Sequence, residues 1–563
     1  MKELNNLLAL VRGHDLYMSS KIDLIASNSC ISNFARLTLG STLSQNYCIG
    51  LPGARLYGGC AYIDMIEREV HSLLRQVFGN LNHVVVQFLS GMQANIGAYN
   101  AILKPGDTII AAGTRQGGHY SHTLRGPLRF YSPRIVPLPF DNSIHNVDLN
   151  KLEDVLKKEK PKLMILGWSQ FLFPHPLEQI RQICDRYQVK ILYDMSHVVG
   201  LIAGRVFQPE ATRYADIVTS STGKSLHGPD HGFVMYNDDA FHPGVLDAVM
   251  PLLTSNTHPQ ELAGLGVALT EMLHFGHDFG KQVVANTKAL GKALSQEGIH
   301  ALYGDLDYSE SHTLLVEYKN AHQAVTLLDR AGILINACQL PWDPENETTG
   351  LRLGTQVITR HGYTEKDMPQ IAHLISQVLL KNKDPEILQF SQVVPLSKKF
   401  RSIEYSFDKE FPIPGDLNAS VFNLYATTDI QSILRSSPAF ANCTLGEIDS
   451  IEQHFEVLKL KKPGILFKTN SKSDSVYFVA HGSVEIYEES HGKKTIIATM
   501  GENTHFGELG VMSGHNRKYS ARTHEPTILL KINDDPFLKI LKRFLSIQSY
   551  FERYLISLNV PAK

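Results

Sequence analysis

Between about residues 60 and 240 the chain switches repeatedly between two hydrophobic periods. Ile66, Val70, Leu73, Leu74 and Val77 recur at the spacing of one helical face. Residues 83–88 then form a short β-rich run, followed by Ser90-Gly91 and a helical stretch over 93–103. Further strand-like runs fall at 108–112, 163–167, 190–193, 216–219 and 232–236, with helical patterns at 152–158 and 177–187 between them. Strand–helix alternation of this kind predicts an α/β fold with a mainly parallel sheet covered on both faces.

From about 245 to 385 the pattern changes to α+β. Helices over 259–275 and 280–296 are followed by short strands near 313–317 and 350–353. A segment rich in Pro, Phe and charge comes next, including Pro395 and Phe411-Pro412-Ile413-Pro414-Gly415. After it, a helical run gives way to many short strands with Gly and Asn turns, the pattern of an all-β jelly-roll barrel. The predicted boundaries are an N-terminal arm and large domain over 1–245, a small domain over 246–390, a linker over 391–425 and the barrel over 426–563.

A chain of 563 residues is too long for one core, which agrees with several domains. The formal net charge of -2 gives no global basic field, so neither nucleic acid nor a membrane is an expected partner. The six cysteines are scattered, with no CxxC pair, and read as reduced thiols with no metal site. The absence of a long apolar run and of a basic-then-apolar leader makes the cytoplasm the expected location.

Two segments carry chemistry. Thr219-Ser220-Ser221-Thr222-Gly223-Lys224-Ser225-Leu226-His227-Gly228-Pro229 lies between two predicted strands. A lysine at a strand end among small hydroxyl residues can form a Schiff base with an aldehyde cofactor. A lone lysine in a polar loop would more simply be a surface residue. The second segment is Tyr193-Asp194-Met195-Ser196-His197, where a carboxylate ends an apolar strand. Its simpler reading is a helix N-cap, but it also suits the protonated ring nitrogen of pyridoxal 5′-phosphate (PLP). Ser90-Gly91, opening a helix after a strand, is a weaker sign of a phosphate site.

Together these segments resemble the serine hydroxymethyltransferase family over about residues 20–385. Supporting stretches are Leu24-Ile25-Ala26-Ser27, Asn46-Tyr47, Pro52-Gly53-Ala54-Arg55-Leu56-Tyr57-Gly58-Gly59, Gly117-Gly118-His119 with His122, and Leu351-Arg352-Leu353-Gly354-Thr355. The resemblance implies PLP fold type I, with PLP bound to Lys224 and its ring nitrogen paired with Asp194. It further implies that His119 stacks on the ring, that His197, Ser169 and Thr222 lie at the cofactor, and that Ser90 and Gly91 take the phosphate. Arg352 would clamp the substrate carboxylate with Ser27 and His122 nearby. Tyr47 and Tyr57 would enter the site of a neighbouring subunit, making a homodimer with shared active sites.

The chain also departs from that family. Ile49 stands where the family has a proton-handling glutamate, and isoleucine carries no proton. Ser27-Asn28-Ser29 replaces Ser-Glu-Asn, Gly223 replaces a histidine, and Asp230 replaces an arginine. Pro251–Asn256 replaces a glycine-rich loop, and Cys338 takes the place of a folate-contacting asparagine. These losses argue against tetrahydrofolate. They point instead to a divergent enzyme acting at the α-carbon of a small amino acid such as glycine, serine or threonine, by aldol-type cleavage or transfer. The alternatives are a folate-dependent glycine hydroxymethyltransferase and a catalytically inactive PLP-fold scaffold with a sensor domain.

In the C-terminal region the strand–turn–strand over 476–487, then Phe506-Gly507-Glu508-Leu509-Gly510 and Arg517, resemble a cyclic-nucleotide-binding domain. That family implies cyclic AMP or cyclic GMP as an effector, with Gly507 and Glu508 at the ribose and Arg517 at the phosphate. Tyr519 would crowd the phosphate, and a barrel kept for packing alone is the competing reading.

Overall fold

The computed structural model describes residues 2–400, 402–408, 430–440, 443–460, 462–490 and 493–557. The expected Phe-Pro-rich stretch at 411–415 lies outside the described residues. The chain divides into two compact units, one of Ile22–Lys383 with Phe400–Ile413, the other of Met1–Lys21, Asp384–Lys399 and Pro414–Lys563. The first 21 residues therefore group with the C-terminal unit, whereas the sequence pattern attaches them to the large domain. Helix Lys2–Ser19 packs on helix Ile430–Ser436, and Arg12 reaches Glu502 at 2.6 Å.

The larger unit is built on a seven-stranded sheet. Its spatial order is His83–Phe88, Gly232–Tyr236, Ile217–Ser221, Lys190–Asp194, Leu163–Leu166, Thr108–Ala111, Arg134–Pro137. Only Gly232–Tyr236 runs antiparallel to its neighbours. The other pairings are parallel, which places several strand C-termini along one edge. Two apolar cores cover the two faces, one including Leu74, Leu166, Tyr193 and Phe233, the other Phe88, Ile109, Leu192 and Val234. That explains why these strands read as continuous apolar runs.

The second lobe of this unit begins with one 38-residue helix, Pro259–Gln296, where the sequence predicted two. Gly276 and Gly280, at the gap between the two expected helices, both serve packing. A Cβ on Gly280 would lie 2.5 Å from Val206, and one on Gly204 would lie 2.1 Å from the Gly276 carbonyl. Tertiary contact thus outweighs a helix propensity cost of about 1 kcal/mol per glycine. A three-stranded antiparallel sheet follows, ordered Thr313–Glu317, Gly350–Gly354, Asn336–Cys338. The short strand Ile22–Asp23 pairs in parallel with Ile333–Leu334 and so leads the chain into Ala26 and Ser27.

The C-terminal unit holds two four-stranded antiparallel sheets. Phe455–Leu460, Thr527–Asn533, Ser475–His481 and His505–Phe506 form one; Gly464–Phe467, Ser520–Thr523, Val484–Ser490 and Lys493–Met500 form the other. Helices Asp534–Arg543 and Leu545–Ser557 pack on this barrel through Phe537, Ile540, Ile547 and Phe551. Among the described residues no helix is long and apolar enough to cross a membrane, and no cluster of side chains is suited to hold a metal.

Candidate active site and the C-terminal barrel

Parallel pairing sets Asp194, the last residue of its strand, opposite Thr219, two residues before the adjacent strand ends at Ser221. Lys224 follows three residues beyond Ser221, so the topology brings the two candidate groups to one edge of the sheet. Both line a cavity of about 310 Å³ together with Ser90, Gly91, Met92, Asn95, His119, Gly167, Trp168, Ser169, Ser196, His197, Ser221 and Asp230.

Asp194 is held as an anion by its neighbours. Its Oδ2 accepts from Asn95 Nδ2 at 2.8 Å and lies 3.2 Å from His122 Nε2. Its Oδ1 accepts from the backbone N–H of Ser196 at 3.0 Å and from the Ser196 hydroxyl. Burial by itself would raise the carboxyl pKa, but these donors reverse that and hold it far below the usual range. Lys224 Nζ donates to Ser221 Oγ at 2.6 Å. Burial pushes its pKa down, against the pull of Asp194 and Asp230, which favours the neutral, nucleophilic amine. Ser196 Oγ in turn accepts from Ser221 N at 2.9 Å, so Ser196 and Ser221 join the acid to the lysine.

The helix Gly91–Ile102 starts at the cavity, capped by Ser90 Oγ, which accepts from Gln93 N at 3.3 Å. Only glycine fits at 91, because a Cβ there would stand 2.8 Å from Ser221 Cβ and 2.9 Å from Ser221 N. The backbone N–H groups of this helix start can meet a phosphate. His119 is fixed through Nδ1 by Ser121 Oγ at 2.7 Å, and burial lowers its pKa to about 4. His197 lines the cavity with a buried Nδ1 that has no partner among the described residues. A buried amine, a buried anion, a helix start and an unsatisfied imidazole around one cavity fit PLP.

Several expected residues lie elsewhere. His122, expected at the substrate, is buried behind Asp194 with Nδ1 2.6 Å from Tyr99 OH, and does not line the cavity. Thr222, expected at the cofactor, is fully buried. Its hydroxyl donates to the Pro229 carbonyl and its N–H to His231 O, so it shapes the loop instead. Arg352 sits beside Ser169, whose carbonyl it holds through Nη1 at 2.7 Å, with Nε on Asn336 Oδ1 at 3.1 Å. Ser27 is half-buried in a segment clamped to the end of the Arg352 strand. Gly354 N donates to Leu24 O at 2.7 Å, and Gln356 Nε2 donates to Ile25 O at 2.9 Å. Tyr47 and Tyr57 lie with ring centroids 5.7 Å apart, are 55% and 47% exposed, and stay outside this cavity. Asn256, from the segment that replaces the glycine-rich loop, ties down this region by accepting from Cys48 N at 2.9 Å.

The sequence pattern assigns no role to Asn95, Ser196 or Ser221, though all three touch the central pair. Asn95 is the most legible of them, as a polar residue on the buried face of a helix. Two of the departures are in contact: a Cβ on Gly223 would lie 3.3 Å from Asp230 Cα, so glycine here relieves crowding beside the exposed Asp230.

In the barrel, Arg517 is 3% exposed, with both terminal nitrogens bonded to protein and a buried Nε that has no partner among the described residues. Its Nη1 donates to Gly507 O at 2.8 Å and its Nη2 to Ser475 O at 2.7 Å, while Phe467 stacks 4.2 Å from the guanidinium. Glu508 is buried, with Oε2 3.3 Å from His505 Nδ1. All three expected nucleotide residues are close together, turned toward the barrel's own groups.

The serine hydroxymethyltransferase family matches residues 4–375, and the cyclic nucleotide-binding domain family matches residues 457–544. The serine hydroxymethyltransferase of Methanosphaera stadtmanae is 36% identical over 406 residues, covering 71% of this chain and 95% of that protein. That of Thermococcus gammatolerans is 35% identical over 420 residues, covering 73% and 98%. Among solved structures, L-threonine transaldolase from Pseudomonas fluorescens matches with a TM-score of 0.67 at 28% identity, over 75% of this chain and 97% of that one. Sequence and architecture agree over nearly the whole length of these relatives, so this chain belongs to the serine hydroxymethyltransferase family of PLP-dependent transferases, joined here to a C-terminal cyclic nucleotide-binding domain.

Proposed function

We propose that the protein cleaves or transfers at the α-carbon of a small β-hydroxy amino acid, with L-threonine as the first substrate to test, and without tetrahydrofolate. The observation that carries this reading is the Lys224–Asp194 cavity, intact in a chain whose proton-handling glutamate is Ile49. PLP, when bound, supplies an electron sink for the carbanion that forms at Cα. Asp194, kept ionised, balances a proton on a heterocyclic nitrogen. Lys224 offers an amine whose pKa burial lowers, which favours its nucleophilic form. Arg352 retains Nη2 for a carboxylate after its bonds to Ser169 and Asn336. His119 is uncharged near neutral pH and accepts the Ser121 N–H at Nδ1, so its hydrogen sits on Nε2, where it can donate to a substrate oxygen. Cys338, a neutral thiol with its pKa pushed up to about 12 by burial, offers only a weak donor and acceptor where the family has a folate-contacting amide. The similarity to an L-threonine transaldolase supports the same choice of donor.

The exposed pair Tyr47 and Tyr57 is proposed to complete the site of a second copy in a homodimer. The C-terminal domain is proposed as a regulatory module. A cyclic nucleotide would have to take Arg517 from the carbonyls of Gly507 and Ser475.

The deciding experiment incubates the PLP-loaded protein with L-threonine, L-serine or glycine plus an aldehyde, each with and without tetrahydrofolate. Acetaldehyde release from L-threonine, unchanged by folate, is the expected result. Turnover of serine only in the presence of folate, with no acetaldehyde from threonine, would instead establish hydroxymethyl transfer.

A further inference from the structure

His312 lies outside the cavity lining, yet it touches the backbone beside Ser27, the strand that carries Arg352 and the cavity residue His197. It immediately precedes the strand Thr313–Glu317 and is fully buried. Its Nε2 donates to Ala26 O at 3.1 Å, the carbonyl just before Ser27. Its ring lies parallel to that of His197, with centroids 5.8 Å apart and 9° between the planes, an offset stack. Its backbone carbonyl accepts from Thr355 N at 3.1 Å, and the strand it opens pairs Leu315 with Arg352 and Thr313 with Gly354.

The chemistry of the contact defines the tautomer. Ala26 O can only accept, so Nε2 carries the hydrogen. Nδ1 is then the unprotonated nitrogen, and it has no partner among the described residues. Burial lowers the ring's pKa to about 3, so the ring stays neutral over the working range and its contacts do not change with pH. A ring unable to ionise and surrounded by fixed backbone suits alignment better than proton transfer.

We propose that His312 is a positioning residue that sets the ring plane of His197 and the Ala26–Ser27 backbone against the Arg352 strand, and so shapes the subsite for the substrate's α-carboxylate. This rests on the PLP-enzyme reading above. The contribution is geometric: two flanking groups are locked at the correct distance from one guanidinium.

The test compares full-length wild type, H312F and H312Q. H312F keeps a flat ring and loses the donor; H312Q keeps an N–H donor and loses the ring. PLP affinity is read from the visible absorbance of the loaded protein, and glycine affinity from the change glycine induces in that absorbance. In H312F, PLP affinity is expected within twofold of wild type, with glycine affinity at least tenfold weaker. In H312Q the glycine loss is expected to be intermediate, above threefold. Glycine affinity within twofold of wild type in H312F would overturn the proposal, as would a parallel loss of PLP and glycine affinity in both variants. Should H312F fail to fold, the threefold criterion in H312Q decides. Wild type that binds PLP without any response to glycine removes the underlying reading, and this inference with it.

Discussion

His122 Nε2 stands 3.2 Å from Asp194 Oδ2 in the interior of the larger unit, with Tyr99 OH closing on the other imidazole nitrogen at 2.6 Å. The carboxylate is therefore ionised by a built-in set of donors, independent of anything in the cavity. Asp194→Asn is expected to lower PLP affinity by at least tenfold and turnover by at least a hundredfold. His122→Asn should give a smaller loss in both, because Asn95 and Ser196 remain. Equilibrium dialysis with PLP and single-substrate kinetics measure these effects. Equal behaviour of D194N and wild type would remove Asp194 from the cofactor site.

Four buried imidazoles give the stability a definite pH dependence. Burial lowers His119 and His145 to about 4 and His175 and His312 to about 3. Each folded-state pKa is below the unfolded value of about 6.5, so acid protonates the unfolded chain first. Their contribution is complete above pH 6.5 and is lost as the pH falls toward 4, by about 1.4 kcal/mol per pH unit for each proton the unfolded chain takes up in excess. The urea midpoint of the larger unit should drop markedly between pH 7 and pH 5. A flat midpoint would mean that these rings already titrate normally in the native protein.

Gly91→Ala tests the closeness of the helix start to the lysine loop. The added methyl would meet Ser221 Cβ at 2.8 Å and Ser221 N at 2.9 Å, and such overpacking costs about 1–3 kcal/mol. Because Ser221 also accepts from Lys224, the visible band of bound PLP should weaken even where the fold survives. The readouts are the melting temperature and PLP titration. Ordinary PLP binding in G91A would show that the helix start tolerates displacement.

Arg517→Ala should unfold the barrel more readily even without nucleotide. Two buried carbonyls, Gly507 O and Ser475 O, lose their donor, at about 2–6 kcal/mol in total. Thermal melts of the full chain are expected to show an earlier C-terminal transition in the variant. Cyclic AMP or cyclic GMP at millimolar concentration should raise the wild-type transition only by a few degrees, since Nη1 and Nη2 must leave existing bonds and Nε alone lacks a partner among the described residues. A large nucleotide-induced rise in wild type, absent from the variant, would show that the guanidinium releases its carbonyls readily.

Much of the site is legible in the order of the residues. Lys224 and Asp194 each follow or end a strand of one parallel sheet, and strand ends in such sheets collect at one edge. Pattern misleads where a residue's role depends on what packs against it. The patterns over 259–275 and 280–296 read as two helices where one continuous helix runs, and nothing in the pattern of Lys2–Ser19 announces that it packs on Ile430–Ser436.

By itself the sequence determined the alternation of elements, the family, and the groups able to bind an aldehyde cofactor, because local periodicity and side-chain chemistry are properties of short segments. Tertiary structure alone decided that His122 supports Asp194, that Thr222 shapes a loop, that His312 lies between His197 and Ala26, and that the terminal nitrogens of Arg517 bond within its barrel. Hydrogen bonds between residues tens to hundreds of positions apart exist only once the chain has packed, and burial then sets which groups stay charged.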